Sequence, residues 1–281
     1  MRVMAGIVLY NPEIKRLKEN LEAVFNQVEE IVLIDNNSVN IEEIQDFIKQ
    51  YTKCKVIRNK KNEGIARALN QILEYAIEQH YEWFLTLDQD SVCYPSLIEC
   101  YERYIDIKNI GIITSFAVDR NIDNMDEFLW NEESSYVTYC ITSGALMNTH
   151  ACIKCSGWDD RLFIDNVDGE ICIHMKLLGY KVLSIKRAGI LHEVGHGRNV
   201  RFLWKKENVS NHPASRQYYM ARNHIYVARK YPTEFKIYKE LRKELHHYRM
   251  IIMYEEDKLK KIKARIRGVR DGFKIRCNPV E

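Results

Sequence analysis

The sequence predicts an α/β protein built on a mostly parallel mixed sheet flanked by helices. Short apolar runs alternate with amphipathic stretches from the first residues onward, several runs end in Asp or Asn, and Asp88-Gln89-Asp90 stands where Trp83-Phe84-Leu85-Thr86-Leu87 stops. A buried strand tolerates two carboxylates one residue apart only at its solvent end. There they can share a divalent cation or face a charged ligand instead of bearing desolvation unpaired. The D-x-D string alone is short, and two solvated loop acids also produce it, so its setting decides its meaning.

Val3-Met4-Ala5-Gly6-Ile7-Val8-Leu9 reads as a buried strand, residues 12–26 as an amphipathic helix, and Ile31-Val32-Leu33-Ile34 as a second strand ending at Asp35-Asn36-Asn37. Residues 41–51 read as helix, 54–58 as a short strand, 64–80 as a long helix, and 82–87 as the strand that delivers Asp88. Open sheets wound in this way bind ligands beyond the carboxyl ends of their strands, where Asp35 and Asp88 fall.

With 281 residues and a formal net charge of +3, the chain is long enough for one large domain or a domain with an extension. It has no apolar run long enough to cross a bilayer, and its first residues lack the pattern of a signal peptide, which predicts a cytoplasmic protein. Eight cysteines scattered in apolar contexts fit reduced, buried thiols better than a disulfide framework. Residues 119–135, rich in Asn and acids, read as a mobile surface loop.

Other polar residues gather at the same edge. Asn62-Glu63-Gly64 precedes the helix Ile65-Ala66-Arg67-Ala68-Leu69-Asn70, so free backbone amides and Arg67 could face an anion; a glycine turn and a helix start explain the same residues. Asp35 either accepts hydrogen bonds from a base or ribose or caps the turn after it, and both readings stay open. Thr142-Ser143-Gly144-Ala145-Leu146 is a small-residue segment that lets a backbone approach a ligand or another element. Further on, Asp165, Asp168 and Glu170 open a helix; one acid complements the dipole, and a carboxylate near a cleft could also take a proton from an attacking hydroxyl.

His192-Glu193-Val194-Gly195-His196 matches the H-E-x-x-H string of zinc hydrolases, which requires both histidines on one helical face. Residues 182–185 and 188–191 read instead as strand, and Gly195 and Gly197 interrupt any helix that follows. His192 at a strand end is better placed to join a metal held by Asp90. Cys152-Ile153-Lys154-Cys155 is a single CxxC without a partner pair; the nearest candidates, Cys172 and His174, lie two apart on a predicted helix and point to different faces.

From Pro213 onward the composition changes. Tyr218, Tyr219, Ile225, Tyr226 and Val227 share a helix with Arg216, Arg222 and Arg229, residues 241–254 form another, and residues 258–276 interleave Lys and Arg with Leu259, Ile262, Ile266, Val269 and Phe273. Such a basic amphipathic helix either lies on an anionic membrane surface or covers a helix packed on the rest of the chain or on a second subunit in a homodimer. Nearly balanced charge and the lack of a binding motif argue against nucleic acid.

With these residues in place, the chain resembles the family-2 inverting glycosyltransferases of the GT-A fold, and within them the bacterial rhamnosyltransferase-like branch. Tyr10-Asn11-Pro12, Asp35-Asn36, Asn62-Glu63-Gly64-Ile65-Ala66 with Ala68-Leu69-Asn70, Asp88-Gln89-Asp90, Ser143-Gly144, the run from Phe163 to Glu170, His192, Arg222-Asn223 and Arg229-Lys230-Tyr231 carry the resemblance through nearly the whole chain. Gly157-Trp158-Asp159-Asp160 departs from the Gly-Phe-Asp-Glu frequent in relatives, which implies a different acceptor wall.

The resemblance implies a GT-A catalytic domain over residues 1–212 and a C-terminal helical extension over 213–281. It implies that Asp35 binds a pyrimidine nucleoside, helped by Tyr10, Asn11, Asn62, Gly64, Arg67, Ser143 and Gly144. Asp88 and Asp90 would hold the ribose and a Mg2+ or Mn2+ ion, with His192 completing the metal shell. Asp168, or alternatively Asp165, would be the general base, and Trp158, Asp159, Glu170, Arg222 and Asn223 would meet the acceptor. The implied donor is dTDP-L-rhamnose, with UDP-activated hexoses or galactofuranose second. The implied acceptor is a glycan or polyprenyl-linked glycan of a cell-surface polysaccharide, met at the inner face of the plasma membrane by a peripheral protein.

Overall fold

The computed structural model describes residues 1–119, 133–192, 198–202 and 205–280. Its elements run β1 (Val3–Leu9), α1 (Ile14–Val24), β2 (Glu30–Asp35), α2 (Ile41–Ile48), β3 (Cys54–Arg58), α3 (Ile65–Glu78), β4 (Trp83–Asp88), β5 (Val92–Cys93) and α4 (Leu97–Glu102). After these come β6 (Ile110–Asp119), β7 (Ser134–Val137), β8 (Ala145–Asn148), α5 (Thr149–Lys154), α6 (Val167–Leu177) and β9 (Lys181–His192). The chain then passes through β10 (Arg198–Phe202), β11 (Lys205–Val209), α7 (Ala214–Lys230), α8 (Ile237–Tyr254) and α9 (Lys258–Lys274). By its contacts it divides into two compact units, Met1–Arg161 with Val167–Glu193, and Leu162–Asn166 with Val194–Glu281.

In the first unit the sheet order is β3-β2-β1-β4-β8-β6-β9-β5, with β7 also paired to β9. β1 to β4 are mutually parallel, β8 runs against both β4 and β6, and β6 is parallel to β9. The predicted mixed, mostly parallel sheet is therefore present. Because β1, β2 and β4 are covered on both faces, they read as continuous apolar runs. Helix α1 buries Leu17, Leu21 and Val24 at helical spacing, and the core continues through Ile31, Leu33, Leu85 and Leu146.

Strand order reverses between β1 and β4: the chain moves outward from β1 to β3 and returns to the other side of β1 as β4. The carboxyl ends of these neighbours leave a crevice for ligands. Helix α3 is seated closely over this part of the sheet, since a Cβ on Gly6 of β1 would lie 2.2 Å from Cγ2 of Ile72.

Several short elements were not legible in the sequence. β5 has two residues, too few for a pattern, and the β10–β11 pair was not expected. The expected strands at 182–185 and 188–191 are one element, β9, which continues through Lys186 and Arg187. Of the expected loop at 119–135, residues 120–132 lie outside the described residues, Asp119 ends β6 and Ser134 opens β7.

The second unit is mainly helical. Its interior is unusually polar: Arg265 of α9 is 1% exposed and reaches both carboxylate oxygens of Glu244 on α8 and Oε1 of Gln217 on α7. Lys261 pairs with Glu255 at 2.8 Å in the same unit. Buried charges of this kind persist only when paired and hydrogen-bonded.

The close seat of α3 gives a direct test. Gly6→Ala is expected to destabilise the protein by about 1–3 kcal/mol through overpacking. In urea unfolding, the loss in Gly6→Ala with Ile72→Ala should be smaller than the sum of the two single losses, because truncating Ile72 removes the clash.

Candidate active site

The site is built from strand ends of the first unit. The loop after β1 is tied across to the loop after β2: Asn11 N–H donates to Ser38 Oγ at 2.8 Å, and Asn11 Oδ1 accepts from Val39 N–H at 2.8 Å. Asp35 is fully buried and its two oxygens accept from Ser38 N–H at 3.1 and 3.2 Å, with Arg58 Nε 3.5 Å away. Of the two readings of Asp35, the structure shows the turn cap.

Asn36 extends the brace to the turn before α3. Its Oδ1 accepts from Asn59 Nδ2 at 2.9 Å, its Nδ2 donates to Gly64 O at 3.2 Å, and Asn62 Oδ1 accepts from Gly64 N–H at 2.9 Å. Arg67, expected to face an anion, is instead engaged with Glu74 at 2.6 Å. The two lie seven residues apart, on one face of α3.

β4 delivers Asp88 with its backbone fixed from both sides. Its N–H donates to Ser143 Oγ at 3.0 Å and its carbonyl accepts from Asn20 Nδ2 at 2.7 Å. Across the crevice, Gln89 Oε1 accepts from Tyr10 N–H at 2.8 Å. Ser143 Oγ donates to Ser91 Oγ at 2.7 Å, and Ser91 Oγ lies 3.0 Å from His192 Nδ1, so a chain of hydroxyls orients the imidazole. His192 Nδ1 is 3.7 Å from Asp90 Oδ1. Gly144, with φ at +77°, lets the segment turn against β9, where a Cβ would meet Ile190 Cγ2 at 2.7 Å.

Asp168, in the first turn of α6, accepts from Thr142 Oγ1 and from Thr142 N–H. Burial and then the charge of Asp168 push the Asp88 carboxyl up to about 6; His192 pulls the other way, and Asp90 adds the smallest push upward. A buried carboxyl that resists ionisation beside other acids is one that a bound cation would stabilise in its charged form.

Among the described residues, two groups of acids and histidines bring ligand atoms within 4.8 Å of one another: Asp88, Asp90 and His192, and His224, Glu244 and His247. In the second group, burial and then Arg265 push His247 down to about 4, which leaves a neutral imidazole. However, the Arg265 guanidinium covers both oxygens of Glu244, so that group is a satisfied internal network and a poor cation site. The first group has two oxygen donors, an imidazole and an accessible edge, with His192 20% and Asp90 35% exposed. Its donor set fits Mg2+ or Mn2+.

The run from Phe163 to Glu170 divides between the units. Asp165 and Asn166 both have positive φ, 68° and 62°. Within the second unit, Arg216 holds the Asp165 carboxylate at 3.1 Å, and Asn223 Nδ2 donates to the carbonyls of Ile164 and Asp165 at 2.8 and 2.9 Å. Phe163 stacks on Tyr219 with ring centroids 5.0 Å apart, and Arg222 lies over the Tyr219 ring, 4.8 Å from its centroid. Of the residues expected at the acceptor, Asn223 therefore clamps this turn, and Arg222 donates to Asn223 Oδ1 at 2.8 Å.

Three other expected acceptor residues are also engaged internally. Trp158 is 2% exposed and packs edge-on against Phe84, Asp159 pairs with Arg161 at 2.6 Å, and Glu170 is 1% exposed. In the H-E-x-x-H string, residues 193–196 lie outside the described residues, but His192 ends strand β9 and is not on a helix. Cys152, Cys155 and Cys172 are buried free thiols. Sequence reasoning missed Asn20, Gln89 and Ser91. Ser91 directly follows the acidic pair and had a positional signal; Asn20 reads as an ordinary polar residue of α1.

dTDP-rhamnosyl transferase RfbF of Shigella flexneri is 29% identical over 294 residues, covering 97% of this chain and 95% of its own. TarS 1-349 of S. aureus, in complex with UDP-GlcNAc, has a TM-score of 0.62 at 15% identity, over 96% of this chain and 82% of its own. The mannosyltransferase PcManGT of Pyrobaculum calidifontis, in complex with GDP-Man and Mn2+, has a TM-score of 0.58 at 13% identity, over 96% and 73%. These likenesses show a GT-A fold. The profile of Glycosyl transferase family 2 matches residues 5–149, which span β1 through β8 and hold Asp35, Asp88, Asp90 and Ser143, and the chain belongs to that family.

Proposed function

We propose that this chain is a divalent-cation-dependent inverting glycosyltransferase that moves L-rhamnose from dTDP-L-rhamnose to a glycan or polyprenyl-linked acceptor in cell-surface polysaccharide synthesis. The observation that carries the reading is the convergence of Asp88, Asp90 and His192 at the end of β4, with Asp168 close enough to perturb Asp88. The dTDP-rhamnosyl transferase relative, similar over almost its whole length, supports the donor. PcManGT, solved with Mn2+, supports the ion.

In this reading the braced loops after β1 and β2 receive the pyrimidine nucleoside, and Asp88, Asp90 and His192 hold Mg2+ or Mn2+. The ion, when bound, neutralises charge on the departing diphosphate and orients it. Asp168 takes the proton of the acceptor hydroxyl as its oxygen bonds to the anomeric carbon. The bond from that carbon to the diphosphate oxygen breaks on the opposite face, and dTDP leaves. Thr142 fixes the Asp168 carboxylate for this transfer. Asp165 is the weaker candidate because its carboxylate is already held by Arg216 at 3.1 Å.

TarS with UDP-GlcNAc supports a second reading in which the donor is a UDP-sugar. Donor turnover measured with Mn2+ separates them: dTDP-L-rhamnose should be consumed faster than UDP-hexoses or UDP-galactofuranose, and EDTA should stop it. Preference for a UDP-sugar would replace the donor, and turnover that EDTA leaves untouched would remove the cation.

Asp168→Asn keeps shape and is expected to bind donor normally yet lose transfer by roughly a hundredfold or more, the scale of a positioned general base. Asp165→Asn, measured by the same steady-state assay and by calorimetry of donor binding, should cost less.

The raised Asp88 pKa sets a pH window. Because the folded value of about 6 lies above the ordinary carboxylate value, ionising Asp88 opposes folding, and stability without metal should fall as pH rises from 4 to 6. Mn2+ binds the ionised form, so it should raise the thermal midpoint strongly above pH 6 and little at pH 4, an effect that Asp90→Ala should abolish.

A further inference from the structure

Helices α8 and α9 repeat one surface pattern. On α9, Leu259, Ile262, Ile266, Val269 and Phe273 recur at steps of three and four, and each is followed at once by Lys or Arg: Lys260, Lys263, Arg267, Arg270 and Lys274. One residue along a helix is a rotation of about 100°, so an apolar stripe runs the length of α9 beside a basic ridge. The stripe is open, with Leu259 75%, Ile266 56% and Phe273 44% exposed. On α8 the pairs Tyr238-Lys239, Leu241-Arg242, Leu245-His246 and Tyr248-Arg249 fall at the same spacing.

On α9, Lys260 meets Asp257 at 3.2 Å and Arg270 meets Asp271 at 3.2 Å, so acids at the surface offset only part of the ridge. Glu240, Glu244 and Glu255 are 4%, 2% and 9% exposed, paired with Lys243, Arg265 and Lys261 respectively. The near-neutral composition of the chain therefore conceals a sorting in which these acids turn inward while the ridge bases stay outside. An apolar stripe flanked by one sign of charge suits a partner with acyl chains below and negative charge above. A second copy laid on the same face would set base against base.

We propose that α8 and α9 form a docking face for an anionic membrane surface, with the stripe among the upper acyl chains and the ridge against phosphate headgroups. No helix among the described residues is long and apolar enough to cross a membrane, so the contact is in the plane of the surface. The proposal rests on the polyprenyl-linked acceptor reading and deepens it, but the vesicle-binding measurement itself uses no donor and no acceptor.

The full chain is mixed with vesicles of phosphatidylcholine alone or with added phosphatidylglycerol, and binding is read by co-sedimentation. It should bind the anionic vesicles, more weakly as salt rises. Lys260→Gln with Lys263→Gln and Lys274→Gln should weaken binding by roughly a hundredfold at low salt. Ile266→Glu with Phe273→Glu should abolish it; both positions are exposed, so an unchanged circular dichroism melt confirms the fold. Both variants should keep normal turnover on a soluble acceptor. Failure to bind anionic vesicles at low salt, equal binding to phosphatidylcholine alone, or a dimer that Ile266→Glu dissociates would each overturn the proposal. A failed donor assay would leave the vesicle result standing.

Discussion

The site depends on holding several carboxylates together at the end of a buried strand. Asp88 cannot withdraw, because its amide is bound by Ser143, its carbonyl by Asn20, and its strand lies between β1 and β8. Burial is the main cause that raises the Asp88 pKa, and the charge of Asp168, then more weakly that of Asp90, adds to it. Rigid fold elements maintain this conflict between burial and charge, and a divalent cation held by Asp88, Asp90 and His192 would relieve it.

The order of strands explains why the conflict arises at the carboxyl ends of the sheet, where open sheets of this kind bind ligands. The reversal between β1 and β4 opens a crevice at their carboxyl ends, and Gln89 spans it to Tyr10. Asn11, Ser38, Asp35 and Asn36 fix the adjoining loops through backbone groups, so the crevice has a shape before any ligand enters. Ser143 and Ser91 carry the same rigidity to His192, a residue distant in sequence.

Much of this was legible in the sequence, because β1, β2 and β4 are buried on both faces and appear as unbroken apolar runs that end in acids. Asp88, Asp90 and His192 were identifiable from strand ends alone, and the structure brings them together. The outcome for Arg67, Arg222 and Asn223 was not legible: a motif records that a residue type recurs, and does not record whether its side chain faces a ligand or its own fold. Arg67 pairs along its helix, and Asn223 clamps a turn whose two successive positive φ angles leave carbonyls to satisfy. The inward sorting of Glu240, Glu244 and Glu255 was also hidden, since net charge does not reveal which face of a helix carries each sign.

The most direct test is the anomalous scattering of Mn2+ in crystals grown with dTDP. The account predicts one strong peak bounded by Asp88, Asp90 and His192, in contact with the diphosphate, with Asp168 facing the open side. A peak instead among His224, Glu244 and His247, or a diphosphate bound away from the end of β4, would contradict it.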